Sequence, residues 1–485
     1  MERSPESGRN RILTAAALAV AALILSLQFL VPPIVGLADN GDFEKILGYA
    51  GLRYGSDLYE DRYNTHIVRE FRFAPIGYRS GYLSSETALA RMARDLARPF
   101  APHGSFDIRV LGAIHAALLL LALAGMLRAC RDLAWPAQLT AAGLLVFFFT
   151  DVGYASLFNS FYSQTAAFLF LMLAASAIAL AVRRGRLDGS LAVAYFLCAA
   201  AFAVSKPQES IHGPLFAVFG LRLAGVGRNE WRRPAAAMAA GLVALSLWYY
   251  GRTPDREIRE VALYQTVFRD MLPESVDPAA DLAALGLNSG LAAYSGTHAY
   301  QPGVPIDESW FRREFFDRVG YRKVVFFYAA RPARLLGRLE RAARKGGLRL
   351  RPHASGNFEK TAPGWKPNLV SRRFAAWSDL RLAAAPAAAP WLAALLFGSL
   401  VAAAVGWKRS SHRGRLFREA IAFFVVIAVV EFLVCALADG LADIGRHLFV
   451  FQAICDLLLV ADAAWIAQRL LASRPLRRRA PARAS

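Results

Sequence analysis

The chain has 485 residues, a formal net charge of +20 and a sequence pI near 10.2. Such basicity first suggests nucleic-acid binding, yet 56% of the residues are hydrophobic and only 19% are charged. This composition excludes a disordered chain, a small disulfide scaffold and an ordinary soluble enzyme, which leaves an all-α polytopic membrane protein. The four cysteines have neither metal-ligand spacing nor a disulfide pattern.

Ten apolar segments are candidates for helices that cross the membrane, which requires about 20 apolar residues each. The first is too long for a cleavable signal peptide, and the sixth is the weakest because it contains His212, Pro214 and Arg222. The ten segments are residues 12–33, 108–127, 135–150, 161–182, 189–204, 210–226, 235–250, 386–407, 419–438 and 447–471.

The distribution of arginine and lysine predicts the orientation of these helices. Basic clusters flank each successive pair of helices, and cytoplasmic loops are the ones that carry such clusters. We therefore expect a multi-pass membrane protein with both termini in the cytoplasm and a basic tail at 472–485. The excess positive charge is then a topology signal rather than a sign of nucleic-acid binding.

Two long segments divide the chain and are predicted to lie outside the cytoplasm. Residues 34–106 follow the first helix within an N-terminal module of seven helices, 1–251. Residues 252–385 precede a C-terminal module of three helices, 386–471. Within the second segment, arginines recur every three or four residues after Tyr328, which predicts an amphipathic helix on the bilayer surface. These arginines are Arg331, Arg334, Arg338, Arg341 and Arg344.

Polar residues cluster at the outer ends of the predicted helices, and we expect them to line one cavity. Taken singly, they have simpler interpretations: Asp42 and Asp151 as helix caps, Lys206 and Arg446 as interfacial anchors, and His447 as a solvated loop residue. The cluster consists of Asp39, Asp42, Asp151, Asn159, Tyr162, Lys206, Glu209, Asp439, Asp443, Arg446 and His447.

Carboxylates and cations on one face of a membrane protein suit the transfer of a group from a lipid phosphate to a hydroxyl. An aspartate accepts the proton of the attacking hydroxyl, and basic side chains stabilise the negative charge of the leaving phosphate. The site must be membrane-embedded because the lipid tail of the donor stays in the bilayer.

The sequence resembles the GT-C superfamily of polyprenyl-phosphate-sugar-dependent glycosyltransferases, and more narrowly the WsfD-type hexose transferases of bacterial glycan biosynthesis. The resemblance spans most of the chain through short motifs. These are Asn40–Phe43, Thr150–Tyr154, Asn159–Tyr162, Tyr294–Thr297, Gly356–Lys360, Trp377–Asp379 and Asp439–Phe449.

The resemblance implies a GT-C-like bundle of about ten transmembrane helices, with juxtamembrane helices and two large extracytoplasmic loops. It implies a location in the bacterial inner (cytoplasmic) membrane and an extracytoplasmic site. There, a hexose would be transferred with inversion from a polyprenyl-phosphate donor, such as undecaprenyl-phosphate hexose, to a glycan or lipid-linked glycan acceptor. Asp42 matches the general base, with Asp39 second, and Asp151 matches a second acidic position. Gln164 stands where related sequences often have an acidic residue, and dependence on a divalent metal ion stays open.

The same interpretation assigns roles to the remaining polar residues. The donor phosphate is predicted to contact Arg446, His447 and Lys206. Substrate contacts are predicted for Asn159, Tyr162, Glu209, Asp439 and Asp443.

Three alternatives remain open at this stage. An O-antigen-type polymerase or ligase would depend on arginines of the second outer segment. A lipid-linked glycan transporter or flippase would need paired charges near the midplane, for which Glu431 and Asp456 are the candidates. A non-catalytic envelope scaffold would not need the acidic motifs.

Overall fold

The structure is a computed structural model, and it describes residues 5–79, 81, 83–101, 104–225, 230–252, 256–350, 355–438, 441 and 443–472. The structure is 71% helical, and its described residues form one small sheet, which confirms the prediction of an all-α polytopic membrane fold. The predicted basic tail lies outside the described residues apart from Ala472.

All ten predicted segments contain a helix. In the described part of the chain, seven helices are long and apolar enough to cross a membrane, and two shorter apolar helices lie among them, Trp135–Phe149 and Gly189–Ala203. The helices at the ten segments are Pro5–Phe29, Arg109–Ala129, Trp135–Phe149, Ser163–Arg184, Gly189–Ala203, Gly213–Ala224, Arg232–Arg252, Ala388–Ala404, His412–Ala438 and Phe449–Ala472.

Several of these helices differ from the predicted boundaries; the ninth, for example, begins at His412 rather than at 419. The first ends at Phe29, just before two prolines. The eighth helix is preceded directly by two short helical elements that begin at Ala376, so the continuous apolar helical stretch is Ala376–Ala404. The sixth has only 12 residues, or about 18 Å at 1.5 Å per residue, and follows a 3₁₀ turn at Pro207–His212. This helix is too short to cross a hydrocarbon core of about 30 Å by itself.

The first outer segment contains a three-stranded antiparallel sheet that the sequence patterns did not predict. Its strands are β1 (Leu52–Tyr54), β2 (Glu70–Phe73) and β3 (Ser105–Asp107), in the order β1-β2-β3. Phe71 and Phe106 are opposite each other and buried, so the sheet packs one face into the protein. The helices of this segment are Glu44–Ala50, Tyr59–Arg62, Ser85–Ala97 and the 3₁₀ turn Arg98–Phe100.

The second outer segment is a chain of short helices with an aromatic core of its own. Tyr264, Phe268, Phe311 and Phe315 are buried together in that core. Its helical elements are Arg256–Tyr264, Gln265–Met271, Pro278–Ala284, Ser289–Tyr294, Ser309–Phe311, Arg312–Phe316, Tyr321–Ala329, Pro332–Ala342, Ala343–Gly347, Ala376–Ala384 and Ala385–Ala387. Short turns elsewhere are Cys130–Asp132, Val152–Ala155, Pro207–His212, Trp407–Arg409 and Ile444–His447.

The predicted amphipathic helix after Tyr328 differs in its contacts from a helix on the bilayer surface. It begins only at Pro332, and Arg334 and Arg341 form ion pairs with Asp281 and Glu274. Arg338 is completely buried, and its guanidinium donates to the carbonyl of Ala436 at 2.6 Å. The expectation of headgroup contact is therefore wrong for Arg338, whose charge serves to dock this segment onto the helix His412–Ala438.

The start of the first outer segment is held by the second. The N–H groups of Gly36 and Ala38 donate to the carbonyls of Asn357 and Gly356 at 3.1 and 2.9 Å. This backbone pairing fixes the chain immediately before Asp39.

Candidate active site

Asp39 shapes the loop that carries the candidate base. Its carboxylate is 2% exposed and accepts the N–H groups of Gly41 and Phe43 at 2.7 and 3.0 Å. The hydroxyl of Tyr54 donates to its other oxygen at 2.6 Å. Burial outweighs these hydrogen bonds and raises the pKa of Asp39 to about 6. Gly41 adopts a φ of 103°, which an L-residue rarely adopts, and the chain turns sharply there.

Asp42 lies on the other side of this turn and does not cap the following helix. Its side chain is 27% exposed and forms ion pairs with Arg446 and Lys45. Burial acts to raise the pKa of Asp42, but the positive charges of Arg446 and Lys45 outweigh it and hold that pKa well below the usual range. Asp42 is therefore an ionised, accessible carboxylate, whereas Asp39 is enclosed.

Arg446 stands between two carboxylates. Besides Asp42, it pairs with Asp443, which accepts its Nε–H at 2.7 Å. Burial alone would lower the pKa of Arg446, but the two carboxylates keep it well above its ordinary value, so the guanidinium stays charged. Arg446 is only 7% exposed, and 404 residues separate it from Asp42 in the chain.

Tyr162 supports both partners of this ion pair. Its hydroxyl accepts the N–H of Asn40 at 3.1 Å and donates to the carbonyl of Ala38 at 2.8 Å. The guanidinium of Arg446 lies over its ring, 4.9 Å from the centroid, in a cation–π contact. Tyr162 thereby holds the loop and the arginine in one arrangement.

Asp151 and Asn159 form structural ties. One oxygen of Asp151 caps the turn Val152–Ala155 through Gly153 N–H at 2.8 Å, and the other accepts the N–H groups of Trp377 and Ser378 at 2.9 and 3.0 Å. The amide of Asn159 donates to the carbonyls of Phe29 and Val35, at 3.1 and 2.8 Å.

Lys206 and His447 contact each other, with Lys206 Nζ 3.3 Å from His447 Nδ1. Lys206 also donates to Gln208 Oε1 at 3.0 Å. His447 follows Arg446 directly in the chain, so the turn Ile444–His447 contributes one residue to this pair and one to the Asp42–Arg446 ion pair. Glu209 is buried near Lys206, close to Glu431 of the helix His412–Ala438.

A basic cavity of about 540 Å³ opens beside Asp443. Arg349 lines this cavity, and its Nε is buried without a hydrogen-bond partner among the described residues. Asp443 also binds Arg446, which joins the cavity to the carboxylate site. Its four cationic side chains are Arg269, Arg344, Lys345 and Arg349.

The structure thus brings Asp42, Tyr162, Asp443 and Arg446 into contact, and it brings Lys206 and His447 into contact with each other. Asp151 and Asn159 instead make hydrogen bonds that hold the scaffold, and Asp439 lies outside the described residues. The sequence analysis did not identify Arg269, Lys345 and Arg349 as lining residues of the cavity. It also did not identify Tyr54, whose hydroxyl donates a hydrogen bond to Asp39. The sequence did contain an indication of a basic site, because Arg344–Arg349 has three cationic residues within six positions.

These features define a polytopic membrane protein with a polar site built from inter-helix turns and two folded outer segments. The chain belongs to the family of the YfdI N-terminal transmembrane domain, whose model matches residues 3–483. No curated protein and no solved structure matched the chain. The narrower resemblance to the WsfD type, the side of the membrane and the roles of individual residues stay predictions.

Proposed function

We propose that this protein is an inverting membrane glycosyltransferase that moves a hexose from a polyprenyl-phosphate donor to a glycan acceptor on the extracytoplasmic face. Membership of a family associated with GT-C-like membrane glycosyltransferases supports the reaction class. The donor, the acceptor and the base are parts of the proposal that rest on the site.

One observation carries the proposal. Asp42 is a partly exposed carboxylate that is kept ionised by its ion pair with Arg446. Arg446 also pairs with Asp443, and Asp443 lines a cavity that has four cationic side chains. A proton acceptor beside an anion site is what transfer from a phosphate to a hydroxyl requires.

In the proposed step the acceptor hydroxyl attacks the anomeric carbon of the donor sugar. The new bond joins the acceptor oxygen to that carbon, and the bond from the carbon to the phosphate oxygen breaks. The proton of the hydroxyl goes to Asp42, while the electron pair stays on the departing polyprenyl phosphate. Attack opposite the leaving group inverts the anomeric configuration.

We assign the phosphate to the basic cavity, because Arg446 already faces two carboxylates. Arg446 then acts by holding Asp42 ionised, and Lys206 and His447 remain candidates for a second phosphate contact. Asp39 and Asp151 are proposed as positioning residues, since their carboxylates accept backbone N–H groups.

The function is tested with purified protein in liposomes that contain labelled polyprenyl-phosphate hexose and a lipid-linked glycan acceptor. The proposal predicts one hexose added per acceptor with inverted anomeric configuration, and release of polyprenyl phosphate. Folded protein that transfers no sugar from any polyprenyl-phosphate donor to any glycan acceptor would contradict it.

The basic cavity gives a second test. Lys345→Gln with Arg349→Gln should raise the donor KM by about 10–100-fold, because a hydrogen bond to a charged group contributes about 1.5–3 kcal/mol. Lys408→Gln, in a predicted cytoplasmic turn, is the matched control and should leave KM unchanged. An unchanged KM in the double variant would move the phosphate back to Arg446, Lys206 and His447.

An O-antigen-type polymerase or ligase is a second candidate, favoured by the same cavity because its cations belong to the second outer segment. Such an enzyme transfers preassembled glycan from a pyrophosphate-linked lipid. Growth of long glycans from that donor in the liposome assay, without use of polyprenyl-phosphate hexose, would establish this alternative.

A further inference from the structure

A second polar cluster lies apart from the carboxylate of Asp42, inside the helix bundle. It forms where the turn Pro207–His212 packs against the helix His412–Ala438. The donor atoms of Glu209, His212 and Glu431 all lie within 4.8 Å of one another, and the three residues are 0–1% exposed.

The distances suit a shared divalent cation. His212 Nε2 lies 2.9 Å from Glu431 Oε2 and 3.9 Å from Glu209 Oε2. Ligands about 2.0–2.2 Å from a metal and separated by tetrahedral or right angles lie about 3–3.5 Å apart. Small side-chain shifts would therefore bring the three donor atoms onto one ion.

The cluster also has unsatisfied polar atoms. Glu209 Oε2 and His212 Nδ1 are buried and have no hydrogen-bond partner among the described residues. A buried carboxylate oxygen without a partner is costly, and here a second carboxylate, Glu431, lies beside it. A cation between the two carboxylates would give Glu209 Oε2 a partner and would offset the repulsion between the two negative charges.

Outer hydrogen bonds hold one of the three side chains in place. Gln208 Nε2 donates to Glu431 Oε1 at 2.6 Å, and the thiol of Cys435 approaches the same oxygen at 3.4 Å. Partners of this kind orient metal ligands and sharpen affinity. Gln208 also accepts from Lys206, so the cluster connects to the Lys206–His447 pair.

We propose that Glu209, His212 and Glu431 bind a first-row divalent transition metal ion such as Zn²⁺. One imidazole and two carboxylates favour Zn²⁺ or Mn²⁺ over Mg²⁺, which prefers oxygen ligands and retained waters. The ion would join the turn Pro207–His212 to the helix His412–Ala438 and hold Lys206 in place through Gln208. This inference uses none of the predicted catalytic aspartates and does not depend on the proposed glycosyl transfer.

The metal content of the purified full-length chain in detergent tests the proposal. We expect about one zinc or manganese ion per chain in the wild type and loss of that ion in Glu209→Gln and Glu431→Gln. The matched control is Glu86→Gln, which alters another wholly buried glutamate facing a histidine, His115, at 3.3 Å. The control should keep its metal, and equal loss in all three variants would overturn the proposal.

A second test measures the Tm of chelator-treated protein during titration with Zn²⁺, and it applies even if a variant folds poorly. Zn²⁺ should raise the Tm of the wild type and of Glu86→Gln, because a ligand that binds only the folded state stabilises it. Loss of a hydrogen bond to a metal ligand lowers metal affinity by about 10–100-fold. Glu431→Gln changes a ligand itself, so its affinity for Zn²⁺ should fall by more than that. If wild-type protein contains no metal and its Tm does not respond to Zn²⁺, the two glutamates share a proton instead and the proposal fails.

Discussion

Two aspartates three residues apart have opposite electrostatic environments. Asp39 is enclosed, and burial raises its pKa to about 6. Asp42 is partly exposed, and the cations beside it hold its pKa well below the usual range. The motif Asp39–Asp42 therefore contains one carboxylate that organises the loop and one that is ionised, partly exposed and paired with cations.

The pH dependence of transfer distinguishes these two aspartates as the base. Protonation of Asp39 near pH 6 should disturb the loop and lower kcat/KM in the wild type, whichever aspartate is the base. If Asp42 is the base, its lowered pKa keeps it ionised as the pH falls, so Asp39→Asn should keep some activity and lose this acid limb between about pH 7 and about pH 5. If Asp39 were the base, Asp39→Asn would show no transfer at any pH. Replacing Arg446 by Gln in the Asp39→Asn variant removes the main charge that lowers the pKa of Asp42, so an acid limb should then return.

Single residues were only partly predictable. The sequence indicated that Asp42 and Arg446 share one face because both follow predicted helices on the same side. It gave no means to see that the two form an ion pair, since this contact joins positions 404 residues apart. The burial of Asp39 could not be predicted from the sequence either, because it depends on Tyr54 and on the backbone of the turn that Asp39 itself forms.

At the scale of elements, Asp151 connects two parts of the chain. Its carboxylate joins the turn Val152–Ala155 to the beginning of the helix Ala376–Ala384 through three backbone N–H groups. These elements belong to the first module and to the end of the second outer segment.

Asp151→Ala should therefore lower stability as well as activity. Leaving buried N–H groups without an acceptor costs about 1–3 kcal/mol each, so the apparent Tm of the purified protein should fall clearly. Asp379→Ala, which removes a partly exposed carboxylate paired with the exposed Arg372, is the control and should change Tm little. A variant at Asp151 with normal Tm but no transfer would instead support the catalytic role suggested by the resemblance.

The elements that were predicted correctly are those with long apolar runs, because crossing a bilayer demands about 20 such residues. The strands β1 to β3 have only three or four residues each, too few for an alternating pattern to stand out. The break before Pro332 was missed because the arginine spacing continues across it. Proline at the first helical position starts a new helix there.

At the scale of the whole molecule, charge distribution predicts orientation. Basic residues concentrate in the turns assigned to the cytoplasm, while the outer segments mix acids with bases and pair them, as in Arg334–Asp281 and Arg69–Asp107. The turns and termini assigned to the cytoplasm carry 23 basic residues against six acidic ones, as a cytoplasmic location predicts. The first outer segment is balanced, with nine basic and nine acidic residues, whereas the second has 22 basic residues against 14 acidic ones.

Labelling of single introduced cysteines in intact cells checks this orientation. A membrane-impermeant maleimide should label Val276→Cys, whose position is fully exposed in the second outer segment, and should not label Lys408→Cys until the cells are opened. The parent for both variants has its four native cysteines replaced by serine or alanine. Labelling of Lys408→Cys alone in intact cells would invert the topology and place the site in the cytoplasm.

The central claim is that Asp42, held ionised by Arg446, accepts the proton during transfer of hexose from a polyprenyl phosphate. The most direct measurement is the rate of transfer by Asp42→Asn in liposomes, compared with wild type and with Asp61→Asn, an exposed outer carboxylate paired with Lys360. Loss of a positioned general base predicts a fall of about 10²–10⁴-fold for Asp42→Asn, with Asp61→Asn unchanged. Folded Asp42→Asn protein that transfers hexose at the wild-type rate would contradict the account.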